Sequence, residues 1–144
     1  NARRRSTKAA ITTIGNCFMK ALIIDDSRAM RRILKLIVVQ LGFETIEAEN
    51  GREGLDQLRR FPETELVLVD WNMPEMNGLE FIEIIRSNPN YDELKLVMVT
   101  TETEPARMAR ALLAGVDEFV MKPFTAEVLV EKLQLIGVTA RQFD

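Results

Sequence analysis

The apolar residues from position 19 onward alternate between short runs and longer stretches with helical spacing. Five short runs predict β-strands at 21–24, 45–48, 66–69, 96–100 and 118–121. The first, third and fourth runs are continuously apolar, as is typical of strands buried on both faces, whereas the second alternates and predicts an edge strand. Strands that alternate with helices predict an α/β fold, in which helices cover both faces of a parallel sheet.

The stretches between and after these strands predict five helices, at 27–41, 51–61, 78–87, 105–114 and 126–136. Gly42, Pro62 and Gly115 follow three of them, and these residue types end helices. Ser27 is the predicted cap of the first helix. The strand and helix pattern gives one layered domain from 19 to 138.

The first helix has apolar residues spaced for a single buried face. The predicted buried residues are Met30, Ile33, Leu34, Ile37 and Val38. The opposite face is predicted to expose Arg31, Arg32 and Lys35.

Polar side chains follow four of the predicted strands where each strand ends. They are Asp25 with Asp26, Asp70, Thr100 and Lys122. Because the carboxyl ends of parallel strands meet at one edge of the sheet, we expect these side chains to converge. Each has an ordinary explanation alone, such as a helix cap for the acidic pair, but together they offer carboxylates, a hydroxyl and an ammonium. These groups suit a magnesium ion and a phosphoryl group.

Composition narrows the function classes. The chain has 144 residues, which is enough for one hydrophobic core. Its formal net charge is −3; residues 1–18 contain four basic and no acidic residues, so the remaining residues carry a net charge of −7. An acidic body makes nucleic acid an unfavourable partner. The single cysteine excludes an intramolecular disulfide and fits a reducing cytoplasm, and the absence of a long apolar run argues against membrane insertion. We interpret 1–18 as an extension outside the domain and 139–144 as a short tail.

Three segments carry a resemblance to a known family: residues 20–27 (KALIIDDS), 70–78 (DWNMPEMNG) and 119–124 (FVMKPF). They resemble the receiver domain of two-component response regulators, and in particular the single-domain receivers of chemotaxis. The resemblance covers the chain from about position 19 to 138. It implies a five-stranded, flavodoxin-like sheet of order 2-1-3-4-5.

The resemblance also implies roles for the strand-end residues. Asp70 would be the phospho-acceptor, and Lys122 and Thr100 would contact the phosphoryl oxygens. The Mg²⁺ ligands would be Asp26, Asp70, the backbone carbonyl of Asn72 and, mainly through water, Asp25.

Further residues are implied to control output and signal lifetime. Thr100 and Phe119 would relay phosphorylation to the surface of the fourth helix, fifth strand and fifth helix, although Phe119 could instead only pack in the core. The Lys122–Pro123 bond would be cis. The residues implied to tune dephosphorylation are Asn72, Thr101 and Glu102.

The partners follow from the same resemblance. The chain contains no histidine, so it cannot be a phosphohistidine donor and must receive its phosphoryl group from another molecule. The resemblance implies a histidine kinase or phosphotransfer protein as that partner, and a downstream effector protein for output. A monomer and a phosphorylation-dependent homodimer both stay open. The fourth helix begins Glu104-Pro105-Ala106-Arg107, unlike the lysine-rich start used for flagellar-motor docking, so the pathway stays open between chemotaxis and a related phosphorelay.

Three other functions fit the residues less well than this switch. A Mg²⁺-dependent aspartyl-phosphate phosphohydrolase generally needs a second carboxylate two residues after the nucleophile, where this chain has Asn72. A flavin-binding module would be opposed by Asp25 and Asp26, which repel a phosphate that lacks a metal. A pseudo-receiver that takes no phosphate would be expected to lack some of the site residues.

Overall fold

A computed structural model describes residues 19–139 of the chain. The predicted extension at 1–18 lies outside the described residues, as does all of the predicted tail after 139.

Five parallel strands form one sheet in the order β2-β1-β3-β4-β5, which confirms the predicted order. They are β1 (Met19–Ile24), β2 (Phe43–Ala48), β3 (Thr64–Val69), β4 (Lys95–Thr100) and β5 (Glu118–Met121). The first four begin one or two residues before the predicted runs. The added positions at the start of these strands include polar residues, and Lys20 of β1 forms an ion pair with Glu44 of β2 at 2.8 Å. The sheet thus continues into a polar end that the apolar pattern does not mark.

Five helices connect and follow the strands, as predicted. They are α1 (Arg28–Gln40), α2 (Gly51–Arg60), α3 (Gly78–Arg86), α4 (Pro105–Ala114) and α5 (Ala126–Leu135), with a 3₁₀ turn at Pro89–Tyr91. Ser27 caps α1 by accepting a hydrogen bond from the Met30 amide, as predicted. Gly115 ends α4 at φ 116°, a left-handed conformation that favours glycine.

The core consists of two apolar layers, one on each face of the sheet. One layer contains Phe81 of α3, Ala111 of α4 and Phe119 of β5. The other contains Leu34 and Val38 of α1 together with residues of α5. Both faces of the central strands are therefore covered, and their carboxyl ends are held in a fixed arrangement.

The prediction for α1 was wrong at two positions. Arg31 is buried, with 8 % of its surface exposed, whereas Ile33 is 45 % exposed. The buried stripe of the helix is Arg31, Leu34 and Val38, and Arg31 is accommodated because its guanidinium meets Glu47 of β2 at 2.8 Å. The helix is rotated accordingly, and Ile33 faces outward.

Arg86 ties the end of α3 to three neighbouring segments. Its Nε donates to the Gly115 carbonyl at 3.0 Å and its Nη1 to the Tyr91 carbonyl at 2.7 Å. Its Nη2 donates to the Leu94 carbonyl at 2.8 Å and to Asp117 Oδ2 at 3.0 Å. One side chain thereby satisfies polar groups in the segments that precede β4 and β5.

We expect Arg86→Ala to lower the free energy of unfolding by about 3 kcal/mol, because several half-buried acceptors lose charged donors at once. Urea denaturation measures this loss. The matched control is Arg59→Ala, since Arg59 is 68 % exposed and its pair with Asp56 is a surface pair worth little. Equal stabilities of the two variants would contradict the role given to Arg86.

Candidate acidic site at the strand ends

Three carboxylates converge at the carboxyl ends of β1 and β3. One oxygen from each of Asp25, Asp26 and Asp70 lies within 4.8 Å of the others. Two backbone bonds continue the sheet past the strand ends and position these residues: the Asp25 amide donates to the Ala48 carbonyl, and the Asp70 amide donates to the Ile24 carbonyl, both at 3.1 Å. The convergence predicted from strand topology is confirmed for the three acids.

The three acids differ in exposure and in the hydrogen bonds that they accept. Asp25 is almost fully buried and Asp70 is buried, whereas Asp26 is exposed. Asp25 Oδ1 accepts from the Ser27 amide at 2.8 Å, and Asp70 Oδ1 accepts from the Asn72 amide at 3.4 Å. Asp25 is therefore fixed by its own turn, while Asp26 faces the solvent side of the cluster.

Lys122 joins the cluster from the end of β5. Its ammonium donates to Asp25 Oδ2 at 2.8 Å and to Asp70 Oδ2 at 3.2 Å. Burial alone would lower the pKa of Lys122, but the hydrogen bond to Asp25 and the charges of Asp70 and Asp25 together outweigh it and raise the pKa above its usual value. The lysine is therefore a cation at neutral pH. The Lys122–Pro123 peptide bond that follows is cis.

Thr100 lies beside Lys122 at the end of β4. The Lys122 amide donates to the Thr100 carbonyl at 2.9 Å, and the threonine is fully buried. Its hydroxyl oxygen accepts from the Glu102 amide at 3.1 Å. That bond uses the oxygen and leaves the hydroxyl hydrogen to be donated elsewhere.

The remaining predicted site residues lie around this centre. Phe119 is buried in the core layer under α4, and Asn72 and Thr101 are exposed at the rim. Glu102 is half-buried: it pairs with Arg107 of α4 at 2.9 Å and accepts from the Glu104 amide at 3.0 Å. The Glu104 amide is the main reason that the pKa of Glu102 is lowered, with Arg107 acting in the same direction against burial.

The loop after Asp70 returns tightly to the site. The Gly78 amide, at the start of α3, donates to the Trp71 carbonyl at 2.8 Å. A Cβ at Gly78 would overlap the Asp70 carbonyl oxygen and lie 3.0 Å from Trp71 Cα. Only glycine fits this approach, so α3 and the Asp70 backbone are packed directly against each other.

We expect Gly78→Ala to destabilise the fold by about 2–3 kcal/mol, because backbone atoms cannot yield as a side chain can. Gly51→Ala is the matched control, since Gly51 also begins a helix but the three atoms nearest to its Cβ would all belong to the flexible Met76 side chain. Thermal and urea unfolding compare the two. A Gly51→Ala loss as large as that of Gly78→Ala would contradict the backbone argument.

The donor set suits a hard divalent cation. Carboxylate oxygens are the ligands that Mg²⁺ prefers in proteins, and the three acids carry more negative charge than Lys122 neutralises. Their half-open arrangement, with Asp26 exposed, leaves room for the waters that Mg²⁺ retains. The residues present therefore fit Mg²⁺.

Sequence reasoning missed two residues that contact the site. Arg31 bonds the Asp25 carbonyl, and Arg107 holds Glu102. Arg31 precedes Leu34 and Val38 at helical spacing, which placed it on the buried stripe. No comparable signal marks Arg107, because an arginine five residues after a glutamate is ordinary on a protein surface.

Comparison with known proteins identifies the family. Residues 21–134 match the response regulator receiver domain, and the chain belongs to this family. It is 44 % identical over 119 residues to the chemotaxis protein CheY1 of Helicobacter pylori, a match covering 82 % of this chain and 96 % of the relative. A CheY homologue of Campylobacter jejuni is 45 % identical over 117 residues, covering 81 % of this chain and 90 % of that protein.

A solved structure supports the same assignment. Vibrio cholerae chemotaxis protein CheY4 aligns with a TM-score of 0.77 at 31 % identity, covering 83 % of this chain and 98 % of that one. The recognised resemblance and the fold are therefore confirmed.

Membership in the family fixes the general function. Receiver domains are phosphorylation-dependent signalling switches that work with histidine kinases and downstream effectors, and they generally bind Mg²⁺ at an acidic pocket. Asp25, Asp26 and Asp70 form an acidic cluster in this chain. Across residues 19–139, no helix is both long and apolar enough to cross a bilayer.

Proposed function

We propose that this chain is a chemotaxis-type switch in which Asp70 accepts a phosphoryl group from a partner histidine kinase or phosphotransfer protein. The receiver domain in this proposal spans 19–138. The observation that carries it is the shared ammonium of Lys122, which contacts Asp70 Oδ2 and Asp25 Oδ2 at the edge where Asp26 also lies. The CheY relatives from several bacteria support chemotaxis as the pathway.

Asp70 is the proposed nucleophile because, of the two buried acids of the cluster, it is held less tightly than Asp25. One carboxylate oxygen would form a P–O bond while the P–N bond of the partner's phosphohistidine breaks, and the imidazole would leave with the electron pair. Asp70 would become an acyl phosphate. Its bonds of 3.2 Å to Lys122 and 3.4 Å to the Asn72 amide are longer than those of Asp25, so it can be turned toward an incoming phosphorus.

The proposed Mg²⁺ ligands are Asp26, Asp70 and the Asn72 carbonyl, with Asp25 acting mainly through water. Both oxygens of Asp25 already accept bonds, from the Ser27 amide and from Lys122, which supports an indirect role. Asp26 is exposed and its carboxylate lies within the cluster. When bound, the cation would neutralise charge on the transferring oxygens.

Lys122 and Thr100 are the proposed phosphoryl ligands. Lys122 would exchange its bond to Asp70 for one to a phosphoryl oxygen, because that oxygen carries more negative charge after transfer. Thr100 would donate the hydroxyl hydrogen that its bond from the Glu102 amide does not use. The two residues are joined through the Lys122 amide and the Thr100 carbonyl, so they would respond together.

The output surface in this proposal is formed by α4, β5 and α5. Phe119 pairs with Met98 in the sheet and shares a core layer with Ala111 of α4, which supports a relay from the end of β4 to this surface. Leu112 of α4 is 54 % exposed and Leu135 of α5 is 73 % exposed. Apolar side chains of this kind suit an effector protein or, in the phosphorylated form, a second copy of the chain.

Asn72, Thr101 and Glu102 are proposed to set the lifetime of the acyl phosphate. Asn72 and Thr101 are exposed at the rim, where a hydrolytic water would approach. Glu102 is restrained by Arg107 and by the Glu104 amide, so its contribution depends on how α4 is placed.

The test is phosphorylation by acetyl phosphate with Mg²⁺, followed by peptide mapping. Trypsin releases residues 61–86 with Asp70 as the sole aspartate and separates them from 21–28, which contain Asp25 and Asp26. We expect one phosphoryl group, on 61–86, and a change in the fluorescence of Trp71, the chain's single tryptophan, on adding Mg²⁺ and then beryllofluoride. Modification of 21–28, or of neither peptide, would overturn the proposal.

A further inference from the structure

We infer that Arg31 is a positioning residue for the acidic cluster, holding the backbone of Asp25 so that the carboxylates of the cluster converge. The inference rests on the Mg²⁺ site proposed above and concerns a residue on the far side of Asp25 from Lys122. Arg31 itself contacts no reacting group, and it acts through Asp25.

The contacts of Arg31 are short and come from two directions. Its Nη1 donates to the Asp25 carbonyl at 2.6 Å, and its Nε donates to Glu47 Oε1 at 2.8 Å. Glu47 belongs to β2, the neighbour of β1. The guanidinium therefore fixes the turn after β1 relative to the next strand.

The bond to Asp25 holds the part of the chain that the cluster needs most. Asp25 begins the turn that carries Asp26 and Ser27, and its own carboxylate is already oriented by the Ser27 amide and by Lys122. Its carbonyl accepts from Arg31. With both carboxylate oxygens and the carbonyl held, Asp25 has a single orientation, and the direction in which Asp26 leaves the turn follows from it.

Burying the guanidinium of Arg31 costs free energy unless its N–H groups find hydrogen-bond acceptors. Arg31 is 8 % exposed, and a buried guanidinium is tolerated only when its donors find charged or carbonyl acceptors. Its planar fork is suited to reach a carbonyl and a carboxylate at once. Lysine has the charge but not the fork, so it cannot reproduce both bonds in the same geometry.

A charge effect and a positioning effect predict opposite changes in cation affinity. Arg31 is positive, so removing it would by Coulomb's law alone favour a divalent cation nearby. Loss of the support for Asp25 would instead weaken binding, as loss of an outer partner of a metal ligand typically does by 10-fold or more. The sign of the change therefore distinguishes the two.

The test measures Mg²⁺ affinity by Trp71 fluorescence in wild type, Arg31→Met, Arg31→Lys and Arg32→Met. Arg32 is the matched control, because it is the next residue of α1 and is exposed. Unfolding is measured in EDTA for each variant, and Arg31→Lys keeps the test available where Arg31→Met does not fold.

We expect both Arg31 variants to bind Mg²⁺ roughly 10-fold more weakly and Arg32→Met to bind like wild type. Unchanged or tighter binding in folded Arg31 variants, even with lowered stability, would overturn the positioning role while leaving the proposed function intact. Absence of any Mg²⁺ response in folded wild type would overturn both.

Discussion

Asp70→Asn is expected to abolish phosphorylation by acetyl phosphate while the protein keeps its fold. An amide oxygen is a far weaker nucleophile than a carboxylate and cannot form the acyl phosphate. The substitution keeps the size of the side chain and removes one of three carboxylates whose oxygens lie within 4.8 Å. Because like charges repel, the free energy of unfolding in EDTA should stay equal to that of wild type or rise.

Intact mass and the phosphorylation state of peptide 61–86 measure the effect. Asp56→Asn is the matched control, since Asp56 is exposed on α2 and outside the cluster. It should be phosphorylated as wild type is. Retention of the phosphoryl group on 61–86 in Asp70→Asn, or its loss in Asp56→Asn, would refute the assignment of Asp70.

Lys122→Met is expected to lower the free energy of unfolding in EDTA by about 3–5 kcal/mol, the usual effect of removing one partner from a buried ion pair. Asp25 and Asp70 have side chains only 2 % and 10 % exposed, and both lose the ammonium that they share. Two adjacent carboxylates would then lack their counter-ion in a poorly solvated place. Lys35→Met, at an exposed position of α1, should change stability little.

The same variant should bind Mg²⁺ more tightly than wild type. The Lys122 ammonium donates hydrogen bonds to oxygens of Asp25 and Asp70 and repels an incoming cation. Its removal makes these oxygens available as ligands and makes the electrostatic potential at the cluster more negative. Millimolar Mg²⁺ should therefore restore much of the lost stability, by mass action on the folded state. Urea titrations with and without Mg²⁺ measure this, and weaker Mg²⁺ binding in Lys122→Met would contradict the described geometry.

The sheet was well predicted from the sequence because its central strands are buried on both faces, and continuous apolar runs mark such strands directly. The predicted starts of the strands were less accurate, because polar residues pair at the amino-terminal ends of the strands, as Lys20 does with Glu44. Arg31 and Ile33 were misplaced for a related reason. The charge of an arginine predicts exposure even where its helical spacing places it on the buried stripe, and neither signal reveals the acid 16 positions later that makes burial acceptable.

The convergence of the candidate site residues was predictable because the topology of a parallel sheet brings the carboxyl ends of its strands together, whichever side chains they carry. The individual side-chain contacts within the site were not predictable. That Lys122 bonds Asp25 more closely than Asp70, and that Arg107 restrains Glu102, depends on side-chain conformations that residue types and spacing do not determine.

The bond between Lys122 and Asp25 joins residues 97 positions apart, from the first and the last strand of the chain order. A chain still emerging from the ribosome, or one truncated before β5, has the three aspartates but lacks their counter-ion. The proposed phosphoryl site is therefore complete only once β5 has joined the sheet. If the proposed phosphoryl site is correct, a fragment that ends before β5 would keep the proposed acceptor Asp70 but lack the ammonium that contacts it.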